Sequence, residues 1–379
     1  MVWRPRQVNR DRLCCRPGAC ETPGVESKTP LLSPPGNPRP RKPISLKELA
    51  QQLNLSPTSL SLVLNGSPAA ASIPKSTQDT IFAAARRFNY RPNYLARSLR
   101  VQRTYAVGVL MPELSEGYSS LVLSGIEEFL AGAGYMYLAT SHHHEEKQIV
   151  ENTSLLWERG VEGIIAVDTP AGLIPKWLTI VAVSGHEPIP GGTRVILNHD
   201  AAAALALRHL HDLGHHEIAV IKGQSFSSDT EVRFQAILRA ASELGISIPP
   251  SRIVQLQGNS PSPSTGFEAA RQLMAQAGRF TALFAFSDIS AIGAIRAFQD
   301  AGLAVPRDIS VIGFDDVLGA AYHTPSLTTI RQPLRQMGRM AAEALLKLSG
   351  GSSEEPGEFI RVEPELMVRE STGPAGRGL

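Results

Sequence analysis

Cysteine is scarce in this chain and absent from the part that can fold. The three cysteines, Cys14, Cys15 and Cys20, all lie within the first twenty of 379 residues. No disulfide framework can organise the remainder, which fits a reducing, cytoplasmic setting. The adjacent Cys14 and Cys15 are poorly placed to chelate one ion, and no nearby histidine completes a ligand set. Long apolar runs are missing too. None reaches the roughly eighteen residues that a bilayer span requires, so no membrane segment is expected. Catalytic signatures are also absent: there is no G-x-S-x-G, no phosphate-binding loop, no H-E-x-x-H and no glycine-rich dinucleotide turn. The chain is therefore expected to be no enzyme and to carry no cofactor and no metal.

Charge is unevenly spread. Residues 1–40 carry a net +4, and residues 41–103 a net +8 from ten basic against two acidic side chains. The total is +2, so the rest carries −10. A basic head on an acidic body lets the head engage a polyanion while the body stays off it. Residues 1–42 are rich in Pro and Arg and lack apolar periodicity. They read as a disordered tail, without the central apolar stretch of a secretory signal.

The stretch from Ile44 to Arg103 holds the strongest local signals. Ser45 and Glu48 form a capping box, and Leu46, Leu49, Ala50 and Leu53 give the following helix an apolar face. Ser56 is an N-cap with Pro57 at the first helical position. Leu60, Val63 and Leu64 form a second stripe, stopped by Asn65-Gly66. Pro74 opens a third helix, with Ile81, Ala84, Ala85 and Phe88 expected inward. Two helices joined by a short turn are the helix-turn-helix arrangement, whose second helix enters the DNA major groove. That helix would expose Pro57, Thr58, Ser59, Ser61, Leu62 and Asn65. On patterning alone, a helical hairpin with a solvated face reads equally well. The +8 charge is the electrostatic footprint of a phosphate binder and favours DNA. Pro92 blocks the third helix, and Asn93 can cap a short further one that needs a partner to form. On it, Leu99 could wedge between base steps in the minor groove; the alternative is an unfolded basic linker.

Beyond Arg103 short apolar runs alternate with amphipathic helices. Strands are expected at 105–110, 135–138, 163–167, 179–183 and 194–196. A second series follows Asn198, at 217–221, 253–255, 282–285 and 310–313. Continuous apolar strands separated by helices imply parallel sheets covered on both faces, in two doubly wound lobes. Ligands in such folds bind at the carboxyl ends of the strands.

The run LKELAQQLNLSPTSLSLVLNG and the following IPKSTQDTIFAAARRFNYRPNYLARSLR resemble the headpiece and hinge helix of the LacI/GalR family of bacterial transcription regulators. HLHDLGHHEIAVIKG, FAFSDISAIGAIRAFQDAGLAVPRDISVIGFDD and PSLTTIRQP resemble that family's sensor region. The resemblance implies an N-terminal all-α headpiece, residues 43–90, and a hinge helix, 91–103. An α/β two-lobe domain like the periplasmic binding proteins would fill 104–379. Its first lobe would hold about 104–197 plus 326–350, and its second about 198–325 plus 351–372.

The resemblance also implies roles. Pro57, Thr58 and Leu62 match base-reading positions, and Ser59, Ser61 and Asn65 match backbone contacts. Ser56, Tyr90 and Asn93 belong to the same DNA-facing set. Ala96 and Leu99 match the residues that enter the minor groove. Leu62 departs from the polar residue common there; leucine can touch only apolar groups such as a thymine methyl. For an effector, Asp288, Arg233, Tyr118 and Gln332 match pocket positions. Asp315 and Asp316 are expected to organise their own loop. The segment Ser225–Asp229, with Phe226, lies in the right region without an assigned role. His142, His143 and His144 are expected in a solvated loop, and His215-His216 at a helix C-terminus. The implied protein is a homodimeric repressor of a near-palindromic double-stranded DNA operator, controlled by a small molecule, expected to be a carbohydrate. The alternatives are a two-lobe solute-binding protein and a regulator without an effector.

Overall fold

A computed structural model describes residues 44–91, 98, 101–114, 117–258, 262–350 and 359–376. It divides into two units, Met1–Asn93 and Tyr94–Leu379. The tail and the positions Asn93, Ala96 and Leu99 lie outside the described residues.

The first unit contains three helices, α1 (Leu46–Leu53), α2 (Pro57–Leu64) and α3 (Lys75–Arg87). Local chemistry sets their ends. Ser45 Oγ accepts from the Glu48 N–H, and Glu48 Oε2 accepts from the Ser45 N–H, so two otherwise unpaired donors are satisfied reciprocally. Asn54 closes α1 in the left-handed region at φ 53°. Ser56 Oγ then accepts from the Ser59 N–H at 3.0 Å and starts α2. Leu49, Ala50, Leu60, Val63, Ala70, Ile81 and Ala84 make the buried core, with Leu62 and Tyr90 packed against it. Phe88 does not face inward as the spacing predicts: α3 ends at Arg87, and Phe88 is 36% exposed.

The second unit holds two six-stranded sheets. The first has the order β11-β5-β4-β3-β1-β2, all parallel. Its strands are β1 (Ala106–Met111), β2 (Met136–Ser141), β3 (Ile164–Val167), β4 (Ile180–Val183), β5 (Thr193–Leu197) and β11 (Phe359–Val362). The second has the order β12-β10-β9-β8-β6-β7, with only β12 antiparallel. It comprises β6 (Ile218–Lys222), β7 (Ile253–Gln255), β8 (Ala282–Ala285), β9 (Ser310–Asp315), β10 (Thr328–Arg331) and β12 (Glu365–Met367). β1, β3, β4 and β8 are buried at every position, as expected of parallel strands covered on both faces.

Helices α4 (Tyr118–Gly132), α5 (Glu146–Glu158) and α11 (Leu334–Ser349) flank the first sheet. Helices α6 (His199–Asp212), α7 (Ser228–Glu243), α8 (Pro263–Gln276), α9 (Asp288–Asp300) and the short α10 (Leu318–Tyr322) belong to the second lobe. Each lobe brings one helix pair together on glycines. A Cβ at Gly125 of α4 would lie 1.9 Å from the Arg335 carbonyl oxygen of α11, and one at Gly338 would lie 2.0 Å from that of Val122. In the second lobe, Gly266 of α8 and Gly293 of α9 meet Ser290 and Pro263 in the same way, at 2.1 and 1.8 Å.

Two lobe boundaries differ from the expected ones. The chain does cross after β5, at Asn198, but it returns at Gln332–Pro333 rather than near Pro325. β10 bonds to β9 and so belongs to the second lobe. The third crossing lies between β11 and β12, well past Gly350, because β11 pairs with β5 of the first sheet. Both β10 and β11 are short and carry no continuous apolar run, so spacing alone does not assign them. His215 lies just past the C-terminal end of α6, as expected. It is fully buried, with Nδ1 on Thr281 Oγ1 and Nε2 on Ser310 Oγ, tying α6 to the second sheet. Among the described residues no helix is long and apolar enough to cross a membrane.

Candidate functional site

In the first unit, Ser56, Pro57 and Thr58 are exposed at the start of α2. Ser59, Ser61, Leu62 and Asn65 are half-buried. Asn65 spends its side-chain amide on the helix, donating to the Ser61 carbonyl at 2.7 Å and to Ser61 Oγ at 3.1 Å. Tyr90 sits against the core, and burial raises its hydroxyl pKa.

In the second unit, a cleft lies between the carboxyl ends of the two sheets, where α/β folds bind ligands. Its walls include Tyr118, His144 and Asp168 from the first lobe, Phe226, Asp229, Arg233, Phe286 and Asp315 from the second, and Gln332 at the crossing. The backbone is unusual at its rim. Six residues at or just beyond strand ends, His143, His144, Asp168, Ser184, Asp315 and Asp316, have positive φ, from 39° to 112°. Such conformations cluster where structure is held for function.

Three of the four expected effector residues converge here. Arg233 is 6% exposed; its Nη1 donates to the Phe286 carbonyl at 2.6 Å, and its guanidinium stacks 3.6 Å from the Phe314 ring centroid. Gln332 donates from Nε2 to Asp315 Oδ1 at 2.6 Å. Tyr118 opens α4 rather than lying in the preceding loop, and its hydroxyl donates to Ser184 Oγ at 2.5 Å. Burial raises that phenol well above its usual pKa.

Asp288 does not reach the cleft. It is fully buried, accepting from Thr329 Oγ1 at 2.5 Å and from the Val317 N–H at 2.8 Å. Nor is it the cap of α9, a role filled by Ser287. One oxygen ties to β10 and the other to the loop after β9, while Asp315, at the end of β9, lies in the cleft wall. Asp315, expected to organise its own loop, lines the cleft, and Asp288, expected in the pocket, does not.

Sequence reasoning missed several groups that line the cleft. Asp168 and Asp315 both have pKa values raised to about 7, chiefly by burial. Burial would raise Asp229 too, but His199, His186 and Arg233 outweigh it and hold that carboxyl well below the usual range. His142 and His144 are not in a solvated loop. His142 is fully buried on Thr169, and His144 stacks on Phe226 with ring centroids 3.4 Å apart. Burial lowers both imidazoles to about 4, so both are neutral at pH 7. Asp168, Asp315, His142 and His144 each lie within three positions of a strand's carboxyl end, which was the available signal.

Three side-chain atoms in the cleft wall have no hydrogen-bond partner among the described residues: Arg233 Nε, Gln224 Nε2 and Gln332 Oε1. Two donors and one acceptor are therefore left for a ligand that both gives and takes hydrogen bonds. An unpaired buried polar group costs about 1–3 kcal/mol, so filling it is favourable.

Comparison with known proteins places this arrangement. Residues 207–372 match a family model described as a periplasmic binding protein-like domain. The chain is 33% identical over 336 residues to the HTH-type transcriptional repressor PurR of Serratia proteamaculans, covering 86% of this chain and 96% of that one. It is 29% identical over 335 residues to PurR of Haemophilus influenzae, covering 86% and 98%. The Lac repressor bound to ONPG in the repressed state superposes with a TM-score of 0.77 at 25% identity, over 87% of this chain and all of that one. The chain belongs to the LacI family of transcription regulators.

Proposed function

We propose that this regulator is a repressor whose two copies bind a near-palindromic operator through α2, under control of a sugar or similar polyhydroxylated molecule held between the lobes. The relatives are transcriptional repressors, which favours a regulator over an enzyme. The observation that carries the effector reading is the unpaired set Arg233 Nε, Gln224 Nε2 and Gln332 Oε1. A hydroxyl both donates and accepts, so adjacent hydroxyls match this mixture. Asp315 and Arg233 add a carboxylate and a fixed guanidinium fork suited to vicinal hydroxyls. On the DNA side, the exposed Pro57 and Thr58 lead the major-groove contact, and Leu62 contributes an apolar touch. Asn93, Ala96 and Leu99 would extend the contact into the minor groove.

A second reading has one observation in its favour. The stacked rings of His144 and Phe226 offer flat faces to a planar heterocycle such as a nucleobase. Thermal-shift screening of the full chain against monosaccharides, disaccharides, nucleobases and nucleosides separates the two. Stabilisation by a sugar supports the first reading, and stabilisation by nucleobases alone replaces it with the second. Selection from random-sequence DNA at fixed salt tests the operator claim. A recovered palindrome supports it, and no enrichment with or without the stabilising ligand contradicts it.

A further inference from the structure

Beside the cleft lies a cluster that the effector reading does not use. His186 follows β4 in the first lobe, His199 opens α6, and Asp229 sits in the first turn of α7. His186 Nε2 is 2.6 Å from Asp229 Oδ1, and His199 Nε2 is 3.3 Å from the same oxygen. The three ligand atoms lie within 4.8 Å of one another. His199 and Asp229 are 4% and 7% exposed, and only 18% of the His186 side chain is exposed. Two imidazole nitrogens converging on one buried carboxylate oxygen form a two-histidine, one-carboxylate set with an open side, a donor set used by zinc and other late first-row divalent ions.

We propose that His186, His199 and Asp229 bind a divalent transition-metal ion such as Zn²⁺, which clamps the first lobe to the second. Bonds of about 2.0–2.2 Å to three such ligands place the ligand atoms about 3 Å apart. Small rotations of His186 and Asp229 open the 2.6 Å pair to that spacing. Acidic groups outnumber basic ones in the cleft wall, although Arg194 Nη1 also donates to the His186 carbonyl at 2.6 Å. Asp168, Asp229 and Asp315 line the same cleft, and the guanidinium of Arg233, 3.5 Å from Asp229 Oδ2, is the cation among its described lining residues. A divalent ion offsets that imbalance. Coordination through Nε2 would leave Nδ1 of each imidazole to carry the ring proton. Nδ1 of His199 has no partner among the described residues, so no outer hydrogen bond fixes its tautomer. The absence of such support typically weakens a metal site by about 10–100-fold relative to a fully supported one. This proposal goes beyond the effector reading and stands or falls without DNA or sugar.

The test is titration of the full, chelator-treated chain with Co²⁺, followed by visible absorption, with Zn²⁺ in competition. The expected result is one ion per chain with nitrogen and oxygen ligand bands, no thiolate charge-transfer band, and displacement by Zn²⁺. H186Q and H199Q should each weaken binding at least tenfold. If H199Q fails to fold, H186Q at the partly exposed position decides. No binding, or binding unchanged in H186Q, overturns the proposal. A thiolate band that disappears on replacing Cys14, Cys15 and Cys20 with serine assigns the ion to the tail and overturns it as well.

Discussion

Gln332 donates from Nε2 to Oδ1 of Asp315 over 2.6 Å, joining the crossing between the lobes to the carboxyl end of β9. The bond orients the amide so that Oε1 is left without a partner. Gln332→Ala should therefore weaken effector binding about tenfold or more, since a buried hydrogen-bonding partner is worth about 1–3 kcal/mol. Calorimetric titration of the wild type and the variant with the stabilising ligand checks this. Equal affinities would remove Gln332 from the site.

Arg233 neutralises buried carboxylates as well as lining the cleft. Arg233→Ala leaves Asp229 and Asp315 without their guanidinium and should cost about 3–5 kcal/mol of stability, as for other broken buried pairs. Arg233→Lys keeps the charge but loses the planar fork and the stack on Phe314. It should stay folded and bind effector at least tenfold more weakly. Chemical denaturation and ligand titration, run in parallel on both variants, separate the two roles.

Asp315 gives a pH dependence with a definite sign. Its folded pKa is raised from 3.8 to about 7, so the folded state holds a proton that the unfolded state releases. Stability therefore falls as pH rises from about 4 to about 7 and levels off above that. Asp168 acts in the same direction over the same window. Asp315→Asn should flatten the fall in melting temperature across this range. A slope identical to the wild type would show that Asp315 is ionised throughout.

The glycine contacts predict a sharper failure. Gly125→Ala would force a Cβ to within 1.9 Å of a backbone carbonyl and separate α4 from α11. Overpacking costs about 1–3 kcal/mol in a yielding core, and a backbone obstacle puts this case at the upper end. Gly132, with open space around its Cβ position, is the control and should tolerate alanine. Comparable losses for both would refute the packing account.

The order of elements was legible because each strand of the main series is a short apolar run bounded by helix caps. Strands 253–255 and 282–285 fall on the expected residues. The strands β10, β11 and β12 were not legible, since each is only three or four residues long and mixes polar with apolar side chains, so its place depends on its partner strands rather than on its own pattern. Of the cleft lining, Tyr118, Arg233 and Gln332 lie where the resemblance implied pocket positions. Asp288 and Asp315 could not be told apart. Both are acids next to strand ends, and only the bonds to Thr329 and Val317 show which one turns inward. His186, His199 and Asp229 are far apart in sequence, and folding alone brings them together.

The central claim is that a ligand in this cleft sets affinity for DNA. A fluorescent duplex carrying the selected operator should be titrated with the full chain at fixed salt, with and without the most stabilising sugar at saturation. The account predicts a change in operator Kd of about 5–150-fold, the range of coupling energies near 1–3 kcal/mol. The same Kd at saturating sugar would contradict it.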